Sequence, residues 1–396
     1  MKNQQYEFDT VIDRRNTNCL KYDFAQRRGR PKDVLPMWVA DMDFLVDPHI
    51  TEAIHKRTEH GIFGYSEVKE SYFEPLQAWM KKKHGWEVQR EWLVKTPGVV
   101  YALAMAVQAF TNPGDGVMVQ QPVYYPFSEV ITDNNRVVVD NTLVLEDGRY
   151  HMDSKRFEQQ LVEHKVKLFF LCNPHNPVGR VWTKEELIAI GDLCVKHDVI
   201  VVSDEIHQDF VFEGTHHVFA NLKEEFLDRT ITCTSPSKTF NLAGLQVSNI
   251  FIANRKLRHR FRKQIAASGY SQLNTLGLTA CEAAYRYGEE WHSELMEYLK
   301  GNLRYLEKFL KEELPEIKSI KLEGTYLVWL DFRGLSLTEK EREELLLYKA
   351  GIWLDSGHIF GEAGDGFERI NIACPRETLK EALTRLKRAI NTKYKQ

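Results

Sequence analysis

The sequence predicts an α/β fold: a mostly parallel sheet sandwiched by helices in a large unit, with a smaller α+β unit beside it. Three observations carry that expectation. From about residue 95 to 255, short apolar runs alternate with helix-patterned stretches, the pattern of a layered α/β architecture. Each apolar run is of strand length and ends near a polar or Gly/Pro turn. Between two of the runs lies a helix whose start is written in its residues. Thr183 as N-cap and Glu186 form a capping box, and Leu187, Ile190, Leu193 and Cys194 give the apolar stripe. A crossover helix of that kind makes its flanking strands parallel.

In chain order, the turn Thr96-Pro97-Gly98-Val99-Val100-Tyr101 opens a helix from Ala102 to Phe110. Strand candidates follow at Val117–Gln120, Lys167–Cys172, Val199–Ser203, Thr230–Cys233 and Val247–Ile252. Beyond about residue 285 the texture changes to long charged helices, then a strand-like Tyr326–Leu330. The last helix, around Leu379, Leu383, Leu386 and Ile390, is amphipathic. The expected division is an N-terminal arm with part of the small unit over 1–47, a large domain over 48–285 and a small C-terminal domain over 286–396.

Charge and cysteine usage narrow the function. In the 396 residues, 53 basic and 56 acidic side chains nearly cancel to a net charge of −3, so no nucleic-acid partner is expected. Six cysteines (Cys19, Cys172, Cys194, Cys233, Cys281, Cys374) lie far apart without a C-x-x-C pair, as reduced core thiols do. The polar start Met1-Lys2-Asn3-Gln4-Gln5-Tyr6-Glu7 has no apolar signal segment. No apolar stretch approaches the roughly 20 residues that span a bilayer. A soluble cytoplasmic protein, without membrane association, is expected.

In an open α/β sheet, ligands bind outside the carboxyl ends of the strands. Lys238 stands there, in Thr234-Ser235-Pro236-Ser237-Lys238-Thr239-Phe240-Asn241, where a partly desolvated amine can form a Schiff base with an aldehyde. Taken alone, such a lysine reads as a solvated surface residue. Its company changes that reading. After the run ending at Cys172 comes Asn173-Pro174-His175-Asn176-Pro177-Val178-Gly179-Arg180, and after the next strand comes Ser203-Asp204-Glu205-Ile206-His207. The Gly98 turn offers helix N–H groups to a phosphate, and Gln121-Pro122-Val123-Tyr124-Tyr125-Pro126-Phe127 brings aromatic rings to the same edge. An amine, a carboxylate, a phosphate cradle and an aromatic lid together are what pyridoxal 5'-phosphate needs.

On these residues the chain resembles the fold-type-I pyridoxal-phosphate enzymes. More narrowly, it is similar to the MalY/PatB-type carbon-sulfur beta-lyases, the cystathionine beta-lyase subgroup of the class I/II aminotransferase superfamily. The likeness runs through Asp13-Arg14-Arg15 with Lys21-Tyr22-Asp23, Pro36-Met37-Trp38-Val39-Ala40-Asp41-Met42-Asp43-Phe44, Phe63-Gly64-Tyr65-Ser66 and Arg369-Ile370-Asn371-Ile372-Ala373-Cys374-Pro375-Arg376. It implies that Lys238 holds the cofactor and acts as catalytic base. Asp204 would pair with the pyridine nitrogen, Asn176 and His207 would serve the ring oxygen, and Tyr124 and Ile206 would contact the ring. Ser235 and the amides of Gly98, Val99 and Val100 would take the phosphate. Arg369, with Asn176, Val39 and Ala40, would bind the amino-acid substrate. Tyr65 would reach the phosphate of a partner subunit, which implies a homodimer with shared sites. Lys238 or Tyr65 would protonate the departing sulfur.

The reaction implied is β-elimination from L-cysteine S-conjugates such as cystathionine, giving a thiol, pyruvate and ammonia. The alternative is an aminotransferase acting on an L-amino acid and a 2-oxo acid. One departure favours elimination: the phosphate-binding Arg that many aminotransferases carry eight residues after the cofactor Lys is Gln246 here. Two further rivals are weaker. Ser235-Pro236-Ser237-Lys238 matches S-x-x-K, but neither S-D-N nor K-T-G accompanies it. A non-catalytic sensor has no need of Lys238, Asp204 and Arg369 together. His216-His217 reads as a surface loop and not a metal site, Lys81-Lys82-Lys83 as a solvated helix face, and Trp79 and Trp86 as packing residues.

Overall fold

The computed structural model describes residues 6–394, so the run Met1–Gln5 lies outside the described residues. Seven strands form the central sheet: Leu93–Thr96 (β1), Gly116–Val119 (β2), Val137–Asp140 (β3), Leu168–Cys172 (β4), Ile200–Asp204 (β5), Thr230–Thr234 (β6) and Ser248–Phe251 (β7). Their order is β1-β7-β6-β5-β4-β2-β3. β7 runs antiparallel to both its neighbours and every other pair is parallel. The four expected inner strands and the reversed one fall within a residue or two of their sequence positions. The two edge strands do not stand out in the sequence. β3 leaves Val137 53% exposed, and β1 is a four-residue segment, so neither makes an unbroken buried run.

Both faces of the sheet are covered, which is why its inner strands read as continuous apolar runs. Phe169 and Leu171 of β4 pack into one layer with Met118, Val201 and Trp182. Leu168, Phe170 and Cys172 face the other, with Val117, Val202 and Phe127. Helix α1 (Val99–Phe110) starts three residues before Ala102, because Gly98 serves as its N-cap and Val99 is already helical. Helix α2 (Lys184–Lys196) carries the expected capping box: Glu186 N donates to Thr183 Oγ1 at 3.2 Å, and Thr183 N donates to Glu186 Oε2 at 2.8 Å. Leu187, Ile190 and Cys194 are buried, while Leu193 sits half-buried at the margin of the stripe.

After the large sheet come the 25-residue helix α3 (Glu289–Glu313) and a second, antiparallel sheet. Its strands are Lys318–Ser319 (β8), Leu327–Asp331 (β9), Asp355–Ser356 (β10) and Phe367–Asn371 (β11), in the order β8-β9-β11-β10, followed by α4 (Arg376–Tyr394). The N-terminal segment is stitched to this part. Leu35–Pro36 pairs in parallel with Ile352–Trp353, Asn371 N donates to Met37 O at 2.8 Å, and Asp43 N donates to Ala373 O at 3.0 Å. Two distant sequence motifs meet here: buried Lys21 binds Asp43 at 2.7 Å, and Arg14 bridges Asp43 and Asp41.

The bland assignments divide. Trp79 and Trp86 are core residues, and Lys81, Lys82 and Lys83 are exposed and pair with Glu87 and Glu289. His216 is a correction. It is not on a surface loop but 7% exposed, with Nε2 2.9 Å from Glu205 Oε2. Glu205 also accepts from Ser203 Oγ and Phe219 N, so a buried carboxylate draws the imidazole inward. A polar sequence neighbourhood carries no sign of that partner. No cysteine is bonded to another among the described residues; all but the half-buried Cys19 are interior.

Candidate active site

The carboxyl ends of β4, β5 and β6 and the N-terminus of α1 open onto one cavity of about 290 Å³. Lys238 enters it from the short helix Pro236–Thr239, whose N-cap Ser235 accepts from Ser237 N at 3.1 Å. Ser235 Oγ donates to Val247 O at 2.7 Å, which ties this turn to β7. Thr239 Oγ1 donates to Asp209 Oδ2 at 2.6 Å, and Trp79 Nε1 and His84 Nε2 meet Asp209 Oδ1. Burial alone would raise the Asp209 carboxyl, but His84 holds it below the usual carboxylate range. Asn241, in the left-handed conformation at φ 57°, binds Met42 N through Oδ1 and donates to Met42 O and Phe44 O. The lysine turn is therefore fixed on both sides.

Lys238 Nζ donates to Ala40 O at 2.8 Å, a carbonyl that also accepts from Tyr326 OH at 2.9 Å. Burial pushes the amine down to about 8; Arg369 adds to this, while Asp41 and Asp204 oppose it. Asp204, at the end of β5, is 4% exposed. Burial pushes its carboxyl up to about 7 against a bond from Ile206 N at 3.2 Å and the charge of Lys238. His207 Nδ1 is buried without a partner, and burial first, then Lys238 and Arg369, hold the ring well below its usual range. Tyr124 lies beside them with its phenol raised by burial. At α1 the first helical bond is Ala102 N to Gly98 O at 3.2 Å, which leaves the N–H groups of Val99, Val100 and Tyr101 open at a helix N-terminus.

Arg369 comes from β11 and is 3% exposed. Its Nη1 donates to Asn176 Oδ1 at 2.9 Å, its Nη2 donates to Trp38 O at 3.1 Å and to Asp355 Oδ2, and its Nε is buried without a partner. Asn176 itself lines the cavity. Val39 and Ala40 complete this wall, on a bend held by Asn371 Nδ2, which donates to Val39 O at 2.8 Å and Asp41 O at 2.7 Å.

All the expected site residues except Tyr65 line this one cavity. Tyr65 is 99% exposed and stands away from it. Sequence reasoning assigned no site role to Asp355, Tyr125, Trp38 or Asn241. Tyr125 and Trp38 stand inside motifs already marked in the sequence, and Asn241 had a local signal, since Asn is among the few residues at ease in a left-handed turn. Asp355 reaches Arg369 only through strand pairing.

A buried carboxylate, an unpartnered imidazole, an open helix N-terminus and a lysine of lowered pKa around one cavity suit a flat phosphorylated pyridine aldehyde. That arrangement defines a pyridoxal-phosphate enzyme of fold type I. A sequence model of the aminotransferase class I and II family matches residues 32–386, and the chain belongs to that family. It is 44% identical over 385 residues to cystathionine beta-lyase PatB of Bacillus subtilis, covering 97% of this chain and 100% of the relative. It is 33% identical over 388 residues to protein MalY of Escherichia coli, covering 97% and 99%. Among solved structures, cystalysin from Treponema denticola, which contains pyridoxal 5'-phosphate, has a TM-score of 0.95 at 41% identity, with 98% of this chain and 100% of that one covered.

Proposed function

We infer that the protein is a pyridoxal-phosphate-dependent carbon-sulfur lyase that performs β-elimination on L-cysteine S-conjugates such as cystathionine, giving a thiol, pyruvate and ammonia. The observation that carries this reading is Lys238, an amine pushed down to about 8, in one cavity with Asp204 and Arg369. When bound, the cofactor supplies an electron sink for the charge left at Cα. Arg369, steadied by Asn176 and Trp38 O, offers its planar fork to the substrate carboxylate and so turns the Cα–H bond toward Lys238. Lys238 Nζ takes the Cα proton; Ala40 O, a carbonyl that Tyr326 OH also binds, accepts from the ammonium form. Asp204 would keep a proton on the ring nitrogen of the bound cofactor, Tyr124 and Ile206 would contact its ring, and Ser235 with the α1 amides would hold its phosphate. Lys238 or Tyr65 returns a proton to the departing sulfur.

Gln246 lines the cavity where many aminotransferases have an Arg, which supports elimination over amino transfer. A lyase need not retain a released, aminated cofactor between two half-reactions, so the lighter phosphate clamp that Gln246 offers would serve it. The same reading includes a cytoplasmic homodimer in which Tyr65 serves the partner's phosphate, and the division of the chain at about residues 47 and 285. The test is incubation of the holoenzyme with L-cystathionine, with and without a 2-oxo acid. Pyruvate and homocysteine should appear in equal amounts and independently of the 2-oxo acid. Product formation that requires the 2-oxo acid would make the enzyme an aminotransferase.

A further inference from the structure

We propose that the mouth of the cavity holds a second subsite, made by Asp355 and by Arg28 on the Trp38 indole, for the ammonium and carboxylate of a leaving thiol that is itself an amino acid. The proposal rests on the lyase reading and names the substrate class within it.

The subsite has two charged parts and an aromatic support. Asp355 lines the cavity at 6% exposure, and its Oδ2 accepts from Arg369. Its Oδ1 accepts no hydrogen bond among the described residues and is left for a ligand cation. Trp38 also lines the cavity. The indole cannot turn freely, because it stacks on Trp353 with centroids 4.3 Å apart and planes 15° apart. On the indole's face lies the Arg28 guanidinium, 5.2 Å from the centroid. Arg28 is exposed and its guanidinium has no ion pair or hydrogen bond among the described residues, yet its charge is felt by Asp355 and by Tyr125 in the cavity wall.

An unmet acceptor and an unpaired cation thus stand near one another beyond the Arg369 end of the cavity. They match a group with one ammonium and one carboxylate: the ammonium donates to Asp355 Oδ1, and the carboxylate meets Arg28. In cystathionine those charges stand two methylenes beyond the scissile sulfur. An S-alkyl cysteine presents neither, and leaves both protein groups unanswered.

The test compares kcat/KM for four substrates with the same Cβ–S bond: L-cystathionine, S-(3-carboxypropyl)-L-cysteine, S-(3-aminopropyl)-L-cysteine and S-butyl-L-cysteine. Arg28→Gln should lower kcat/KM for the two carboxylate-bearing substrates about tenfold relative to the other two, the size of one charge-assisted contact, with Arg28→Lys recovering part of it. Asp355→Asn, which also disturbs Arg369, should lower all four rates and erase the wild-type preference for cystathionine over S-(3-carboxypropyl)-L-cysteine. Equal wild-type kcat/KM for the four substrates, or an Arg28→Gln loss shared equally among them, would overturn the subsite and leave the lyase reading standing. Absence of pyruvate from all four would overturn both.

Discussion

Lys238 and Asp204 are displaced from their ordinary titration by the same cause, burial, in opposite senses. For Lys238 the consequence is kinetic. Only the neutral amine adds to an aldehyde, so the rate at which the cofactor-free protein captures pyridoxal phosphate should rise with pH and level off above about 8, as followed by visible absorbance. Lys238→Ala should abolish both that absorbance and turnover. For Asp204 the consequence is thermodynamic. Its folded pKa of about 7 lies above the ordinary 3.8, so its contribution to stability is fully present below 3.8 and is lost as pH rises through 7. Asp204→Asn removes that loss. The cofactor-free variant should therefore melt higher than the parent at about pH 8, while kcat falls by about 100-fold or more. These residues are legible in the sequence because each sits in a short motif with informative neighbours. Asp355 and Arg28 are not, since their chemistry depends on a strand pairing and an indole face that bring distant segments together.

At the scale of elements, the signals that could be read were those closed within a few residues. The α2 capping box is one: Thr183→Ala should cost about 1 kcal/mol in chemical denaturation and leave kcat unchanged. The edge strands β1 and β3 and the two-residue strands β8 and β10 lack a periodic stretch long enough to register, and only the sheet gives them identity. The turn after β10 shows how such a segment serves the site. A Cβ at Gly357 would lie 2.0 Å from Gly364 O, so this turn closes only around glycine. The same turn carries Phe360, whose ring lies 4.9 Å from the Arg369 guanidinium. Gly357→Ala should lower stability by about 2 kcal/mol or more and raise KM for the amino-acid substrate.

On the scale of the whole molecule, the N-terminal segment shows where sequence reading stops. Its motifs were visible, but not that Arg14 and Lys21 clamp Asp41 and Asp43, nor that Asn241 and Asn371 bind the same segment. The first contacts span more than 20 positions and the last two about 200 and 330, and none leaves a local periodicity. Tyr65 belongs to this scale too. In the proposed dimer, a hybrid of a Lys238→Ala chain with a Tyr65→Ala chain carries both substitutions in one site and neither in the other, so mixing the two inactive proteins under subunit exchange should restore activity through hybrids with one intact site. Recovery no greater than the sum of the separate variants would place Tyr65 outside the partner's site.

The carbonyl of Ala40 that receives Lys238, the α1 amides, Asp204 and Arg369 lie on segments that start at residue 38 and end at residue 369. A chain emerging from the ribosome possesses the reactive lysine long before it possesses the guanidinium that faces it. Colour from bound cofactor, followed during synthesis in vitro, should thus act as a clock for the last strand of the small sheet, appearing only once β11 has left the exit tunnel.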